Sequence, residues 1–308
     1  MYDSTEGLNM SDYITLPSSS SVDMLRFRVS YRGEPGEALE WFDKVCADMV
    51  IEYGRPDEGR PDRRLAVRYP RSLRLGTYRE LLVVPAGDSS VSFGFGLNAK
   101  GEKNELREGF LEFNPAKTYP SDELQYLYGL LCSEPRVSLE LVRWDFATDY
   151  PLKRRCFCVV KDGRKYGTVI AKSYTAYLGR RNENGFVKVY DKQAEMVEAG
   201  KEQADALTRV EVTVKEPAPK LGKRWPCVLL LPDEIPEVEE SALRLLLMYV
   251  CSGGDLNEGL QAFASARTRK RYRAAFKELC SVLAEPADYG RCRANALAWQ
   301  WAYGGRLL

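Results

Sequence analysis

The chain has 308 residues, of which 44% are hydrophobic and 29% charged, and 45 basic against 44 acidic side chains leave a net charge of +1. That balance suits a globular chain of one large or two ordinary domains, and it excludes nucleic-acid binding through overall positive charge, so any such surface must be local. The chain contains no histidine, which excludes Ser-His-Asp triads, Cys-His dyads and histidine-held metals and leaves acid–base chemistry to carboxylates, tyrosines, lysines and arginines.

Eight cysteines (Cys46, Cys132, Cys156, Cys158, Cys227, Cys251, Cys280 and Cys292) sit mostly in apolar segments. They read as reduced thiols of a cytoplasmic protein. Cys156-Phe157-Cys158 has no second pair at zinc-site spacing. No apolar run approaches the roughly 20 residues of a membrane span, and the N-terminus lacks the basic start and apolar core of a signal peptide. A cytoplasmic location with no membrane contact is the expectation.

Residues 1–22 are polar, with Pro17 and a run of serines, and are expected to be a flexible lead-in. Met24 to Ser30 alternates and predicts the first strand. Apolar residues at 38, 39, 41, 42, 45, 46, 49 and 50 predict one amphipathic helix ending near Tyr53. Residues 54–63 form a breaker-rich loop. Tyr78–Pro85 and Ser89–Leu97, separated by Ala86-Gly87-Asp88, predict a hairpin, and Gly109–Asn114 a strand stopped by Pro115. Ser121 caps a helix over Asp122–Ser133, and Val137–Asp149 is a long strand.

A strand-like run from about Thr168 ends at Tyr177-Leu178-Gly179-Arg180-Arg181. Asn182-Glu183-Asn184-Gly185 predicts a turn, because Asn and Gly tolerate positive φ. Phe186-Val187-Lys188-Val189-Tyr190 alternates after it. A helix is expected from Asp191 to about Ala206, then a strand over Thr208–Lys215 and a Pro- and Lys-rich linker over 216–226. Beyond it, Glu239–Val250, Ala266–Ala284 and Arg291–Tyr303 read as helices. The predicted fold is α+β: an antiparallel sheet with helices packed on one face, then a mainly α-helical C-terminal region. The expected domains are residues 23–216 and 226–308 after the lead-in.

Alternation assigns faces. Lys188, Tyr190 and Lys192 share one, and a tyrosine between two lysines is a hydroxyl whose anion they would favour, a candidate nucleophile toward phosphate. Standing alone it reads rather as an ordinary half-exposed tyrosine on an edge hairpin. Glu112, the Arg143/Asp145/Asp149 set and the Arg209/Glu211 pair likewise occupy polar faces of strands with apolar opposite faces. If those strands are neighbours, Glu112, Asp145, Asp149 and Glu211 converge, and a hard divalent cation would relieve their repulsion. Solvated faces bearing surface ion pairs are the plainer reading of the same pattern.

The series Glu112-Phe113-Asn114-Pro115, Arg143-Trp144-Asp145 to Thr148-Asp149, Tyr177-Leu178-Gly179 with Arg181, Phe186 to Lys192 with Glu195, and Arg209-Val210-Glu211-Val212 resembles the Rep_trans family. These are rolling-circle replication initiators of small plasmids, with relatives among integrative-element relaxases and phage replication proteins. The resemblance runs from about residue 24 to 215. It implies a nicking tyrosine at Tyr190 flanked by Lys188 and Lys192, with Mg²⁺ or Mn²⁺ held by a subset of Glu112, Asp145, Asp149 and Glu211. It implies DNA contacts through Arg180, Arg181 and Arg209, a double-stranded origin and single-stranded DNA as partners, a host helicase, and a homodimer. Glu183 stands in the turn where the family carries a serine, and Tyr177 reads as structural.

The densest basic run, Arg267, Arg269, Lys270, Arg271 and Arg273, accompanies an apolar stripe of Tyr272, Ala275, Phe276, Leu279 and Leu283. It reads as a helix contacting DNA backbone or groove. Trp299, Trp301 and Tyr303 read as packing residues. Three functions fit: a replication-initiating nickase, a conjugative relaxase nicking a transfer origin, and a non-catalytic DNA-binding regulator.

Overall fold

The computed structural model describes residues 13–14, 18–55, 65–70, 78–97, 107–159, 164–169, 175–202, 205–230, 241–251, 254, 256–279 and 281–302. Most of the expected lead-in, most of the loop over 54–63, Tyr303 and the side chain of Trp301 lie outside the described residues. In chain order the elements are β1 (Tyr13–Ile14), β2 (Ser19–Tyr31), α1 (Pro35–Tyr53), β3 (Val67–Pro70), β4 (Tyr78–Ala86), β5 (Ser89–Leu97), β6 (Glu108–Phe113), α2 (Pro115–Thr118), α3 (Asp122–Ser133) and β7 (Val137–Tyr150). They continue as β8 (Phe157–Val159), β9 (Tyr166–Val169), β10 (Thr175–Leu178), β11 (Val187–Asp191), α4 (Lys192–Glu198), β12 (Thr208–Lys215) and β13 (Val228–Leu230). The last are α5 (Ser241–Cys251), α6 (Leu256–Gln261), α7 (Ala266–Leu279), β14 (Ser281–Leu283) and α8 (Tyr289–Ala302). The fold is α+β, and no helix among the described residues is long and apolar enough to cross a membrane.

Two compact units divide the chain, and the boundary falls inside β7. The α1 unit holds Val22–Asp145, Lys215–Pro219 and Gly290–Leu308; the hairpin unit holds Met1–Ser21, Phe146–Val214 and Lys220–Tyr289. The Pro- and Lys-rich segment 216–226 is thus itself shared between them.

In the α1 unit the strand order is β3-β4-β5-β6-β2-β7, and β3/β4, β4/β5, β5/β6 and β2/β6 are antiparallel. The apolar spacing read from the sequence does form α1, which buries Ala38, Trp41, Phe42, Val45, Cys46 and Met49. A capping box between Glu34 and Glu37 starts it. Phe42 lies 5.1 Å from Phe93 and 5.2 Å from Phe95, so the helix is held to β5 by aromatic contacts. Ser121 caps α3 as expected, with Leu124, Leu127, Tyr128 and Leu131 buried. Trp299 of α8 packs against Phe113 and Tyr128, which bears out its reading as a packing residue.

In the hairpin unit β12, β11, β10 and β9 follow one another, with β7 beside β12. A second sheet runs β1-β14-β13-β8, with β1 parallel to β14. Leu243, Leu246, Leu247, Val250, Leu260, Tyr272 and Phe276 of α5, α6 and α7 form an apolar cluster with Cys158.

Three expectations are corrected. Strand β2 begins at Ser19, not Met24, and Ser20 is hydrogen-bonded to Thr148 at 3.0 Å. Helix α4 stops at Glu198 rather than Ala206, because Gly200 at φ 73° lets Gly200 and Lys201 donate back to Val197 and Met196. Helix α7 stops at Leu279, and Ser281–Leu283 becomes a strand because Val282 pairs with Leu229 and Tyr13. The C-terminal region is therefore not wholly helical: tertiary strand pairing overrides the local periodicity.

The Glu216 carboxylate, 8% exposed, accepts hydrogen bonds from Trp144 Nε1, Ala218 N–H and both Nε and Nη2 of Arg293. It fastens the segment after β12 to β7 and α8. Burial works to raise its pKa, but these donors hold it below the usual carboxylate range. Its stabilisation is therefore complete above the unfolded-state value and is lost as pH falls through the folded-state value. Glu216→Gln should lower stability by about 2 kcal/mol and flatten its acid dependence, both read from urea unfolding at neutral and acidic pH.

Candidate active site

The site is set by the register of β11 on β12. Lys188 stands opposite Glu211 and Tyr190 opposite Arg209, and directly opposed residues of an antiparallel pair share a face. Val187 and Val189 pair with Val212 and Val210 on the other face, and all four are buried. The alternation read from the sequence therefore places Lys188, Tyr190, Arg209 and Glu211 together.

Across this face the Tyr190 hydroxyl donates to Glu211 Oε1 at 2.6 Å. Lys188 Nζ lies 3.6 Å from the Tyr190 ring centroid and 3.9 Å from Glu211 Oε2. Arg209 is clamped to Asp149 of β7 by two hydrogen bonds, Nε to Oδ1 and Nη2 to Oδ2, both 2.6 Å. Its Nη1 is 4.0 Å from Glu211 Oε1. Lys192, at the start of α4, donates to Glu195 at 2.8 Å and its Nζ is 5.8 Å from the Tyr190 ring centroid. Asp191 caps that helix by accepting from Ala194 N–H.

Three cations (Lys188, Lys192 and Arg209) thus meet three carboxylates (Asp149, Glu195 and Glu211) around one phenol. The lysines were expected to favour the phenolate. The structure corrects this: burial first, then the Glu211 charge, push the Tyr190 pKa well above its ordinary value, with Arg209 pulling the other way. Tyr190 is only 3% exposed, so it rests as a neutral phenol that keeps its proton and donates it in a hydrogen bond to the Glu211 carboxylate. Glu195 is held below the usual carboxylate range, since Lys192, Lys188 and the Tyr190 hydroxyl outweigh its burial.

The other expected residues fall elsewhere. Arg209 is committed to Asp149 rather than standing free for DNA. Arg180 and Arg181 are exposed at the hairpin tip, where Arg180 is 3.9 Å from Glu183. Asn182 at φ 67° and Gly185 at φ 78° make the turn as expected. Glu112, in the α1 unit, accepts from Arg26 at 3.2 Å and Arg143 at 3.4 Å, and half-buried Asp145 lies in that unit too. On α7, Arg267, Lys270 and Arg271 are exposed, whereas Arg269 donates to the Phe263 and Ala264 carbonyls and Arg273 to Asn257.

The implied Mg²⁺ or Mn²⁺ does not fit this arrangement. Among the described residues no group of three or more carboxylate or thiol side chains is placed to hold a metal ion. Asp149 and Glu211 have the Arg209 guanidinium between them, so their charge is met from within the fold. Sequence reasoning missed that role for Arg209, and it missed Arg154, which is buried and donates from Nε to the Val189 carbonyl beneath the site. The Arg209–Asp149 pairing had a signal, opposite charges on polar faces of two strands; Arg154 had none.

No protein-family model matches the chain, and no curated protein matches it. Among solved structures it is similar to one described as a rolling circle replication initiator protein from Geobacillus stearothermophilus, at 12% identity over 85% of this chain and 96% of that one, with a TM-score of 0.32. That superposition is too loose to carry a residue from one chain to the other.

Removing the Glu211 charge while keeping its shape should make Tyr190 easier to ionise. In Glu211→Gln the phenolate absorbance that is absent from Tyr190→Phe should appear at lower pH than in the unmodified protein. An unchanged titration would show that Glu211 does not govern the phenol.

Proposed function

We propose that this chain is a DNA-nicking and strand-transfer enzyme that initiates replication at an origin, with Tyr190 as its nucleophile. The observation that carries the reading is the 2.6 Å hydrogen bond from the Tyr190 hydroxyl to Glu211, on adjacent strands that bear two of the ordered motifs. A nucleophile, a base that can take its proton, and ammonium groups beside them are the parts that phosphodiester transfer needs.

The chemistry follows from those atoms. Glu211 accepts the phenolic proton as Tyr190 Oη bonds to phosphorus. The bond from phosphorus to the upstream 3′-oxygen breaks, and that oxygen takes a proton from water. The products are a 5′-phosphotyrosine and a free 3′-OH that can prime synthesis. Because the phosphodiester is retained in the protein–DNA link, attack by a 3′-OH, whose proton passes to hydroxide as the P–Oη bond breaks and Glu211 returns its proton to Tyr190, rejoins the strand. Lys188, beside both Tyr190 and Glu211, offsets charge on the phosphoryl oxygens. Tyr190 is 3% exposed, with Lys188 over its ring, so the side chains around it must shift for phosphate to reach Oη.

Incubation with single-stranded oligonucleotides cut from the host replicon should give a covalent adduct that maps to Tyr190. Tyr190→Phe should abolish it and retain binding, and Glu211→Gln should slow it by roughly 10²–10⁴-fold. An undiminished adduct in Tyr190→Phe would sink the assignment.

A further inference from the structure

One row of the hairpin unit extends beyond the atoms that the proposed chemistry uses. In register, Gly167 of β9 stands opposite Tyr177 of β10, Tyr177 opposite Lys188 of β11, and Lys188 opposite Glu211 of β12. All four share a face. Strand β9 is the last in this order, so the row runs from the reacting groups to an edge. At about 4.8 Å per strand it spans roughly 14 Å.

Tyr177 is half-buried and stacked on Phe186, with ring centroids 5.9 Å apart and planes 15° apart. Phe186 lies on the β11 side of Tyr177, so one side of the ring is backed. On the β9 side the neighbour is Gly167, which is exposed, and among the described residues nothing stands within 4 Å of where its Cβ would be. An aromatic ring braced on one side and facing a shelf without a side chain is a slot for another flat, apolar group. The shelf needs glycine for its emptiness rather than its conformation, because no positive φ is recorded there.

We infer that Tyr177 and the open surface over Gly167 form a subsite that stacks one base of a single-stranded nucleic acid, next to the phosphodiester presented to Lys188 and Tyr190. The inference rests on the proposed nicking function and names a part of its substrate: an unpaired base flanking the scissile phosphate. Stacking on an aromatic face accepts any base and requires an unpaired one. The subsite thus favours a single strand over a duplex without reading sequence.

The test uses the full chain carrying Tyr190→Phe, so that binding is measured without chemistry. The probes are a fluorescent single-stranded thymidine oligonucleotide and the same strand with abasic sites. Tyr177→Ala should weaken binding of the first probe roughly ten- to a hundredfold, whereas Tyr177→Phe keeps it. Gly167→Ile, which fills the shelf and leaves Tyr177 intact, should weaken it comparably. Neither Tyr177→Ala nor Gly167→Ile should alter binding of the abasic strand, a contrast that a merely structural role for Tyr177 would not produce. If the thymidine strand binds tightly and these variants leave it unchanged, the subsite is overturned while the nicking reading stands. Failure of every form to bind either strand would overturn both.

Discussion

The polar face of the hairpin unit depends on a guanidinium held between two carboxylates. Strand β12 alternates, so Arg209 and Glu211 emerge on the same face, and β7 supplies Asp149 beside them. Two carboxylates brought that close would repel in a region where side chains are only 11–17% exposed. The paired 2.6 Å hydrogen bonds from Arg209 remove that penalty for Asp149 and fix the guanidinium plane. Glu211 is left with its charge partly offset and one oxygen turned to the phenol.

The state of Tyr190 follows. A phenol with lysines on both sides would ionise early if charge alone decided, but burial opposes the anion and Glu211 opposes it again. The phenolic proton therefore stays on Tyr190 and is shared with Glu211 only through the hydrogen bond. In the proposed reaction, a phosphate brought to Lys188 would draw that ammonium away from the Tyr190 ring. Proton transfer to Glu211 would then coincide, in that reaction, with the arrival of substrate.

Much of this was legible because strand alternation is a strong local rule. The faces of β6, β7, β11 and β12 were readable residue by residue, as were α1, α3 and the turn at Asn182. The pairing of charges was not legible, because register decides which arginine meets which carboxylate, and register is a long-range property. Arg209 could be placed on the correct face but not assigned to Asp149. Two boundaries failed for a related reason: Ser281–Leu283 and Ser19 onward became strands because partners far away in sequence offered hydrogen bonds. The burial of Tyr190 was hidden for the same cause, since α4 and Lys188 cover it only once they are folded.

Counting carboxylates on strand faces led to a metal; counting their partners leads elsewhere. Glu112 faces Arg26 and Arg143, Asp149 faces Arg209, Glu195 faces Lys192, and Glu211 faces Tyr190 and Lys188. A set of acidic residues calls for a cation only to the extent that the fold has not already supplied one. In the hairpin unit it supplies three: Lys188 and Arg209 on the paired strands β11 and β12, and Lys192 at the start of α4. A divalent ion entering between Asp149 and Glu211 would have to displace a bidentate guanidinium from Asp149. Displacing it would also remove the charge that lowers the Tyr190 pKa, so a metal would take over two roles of Arg209 at once rather than add a third.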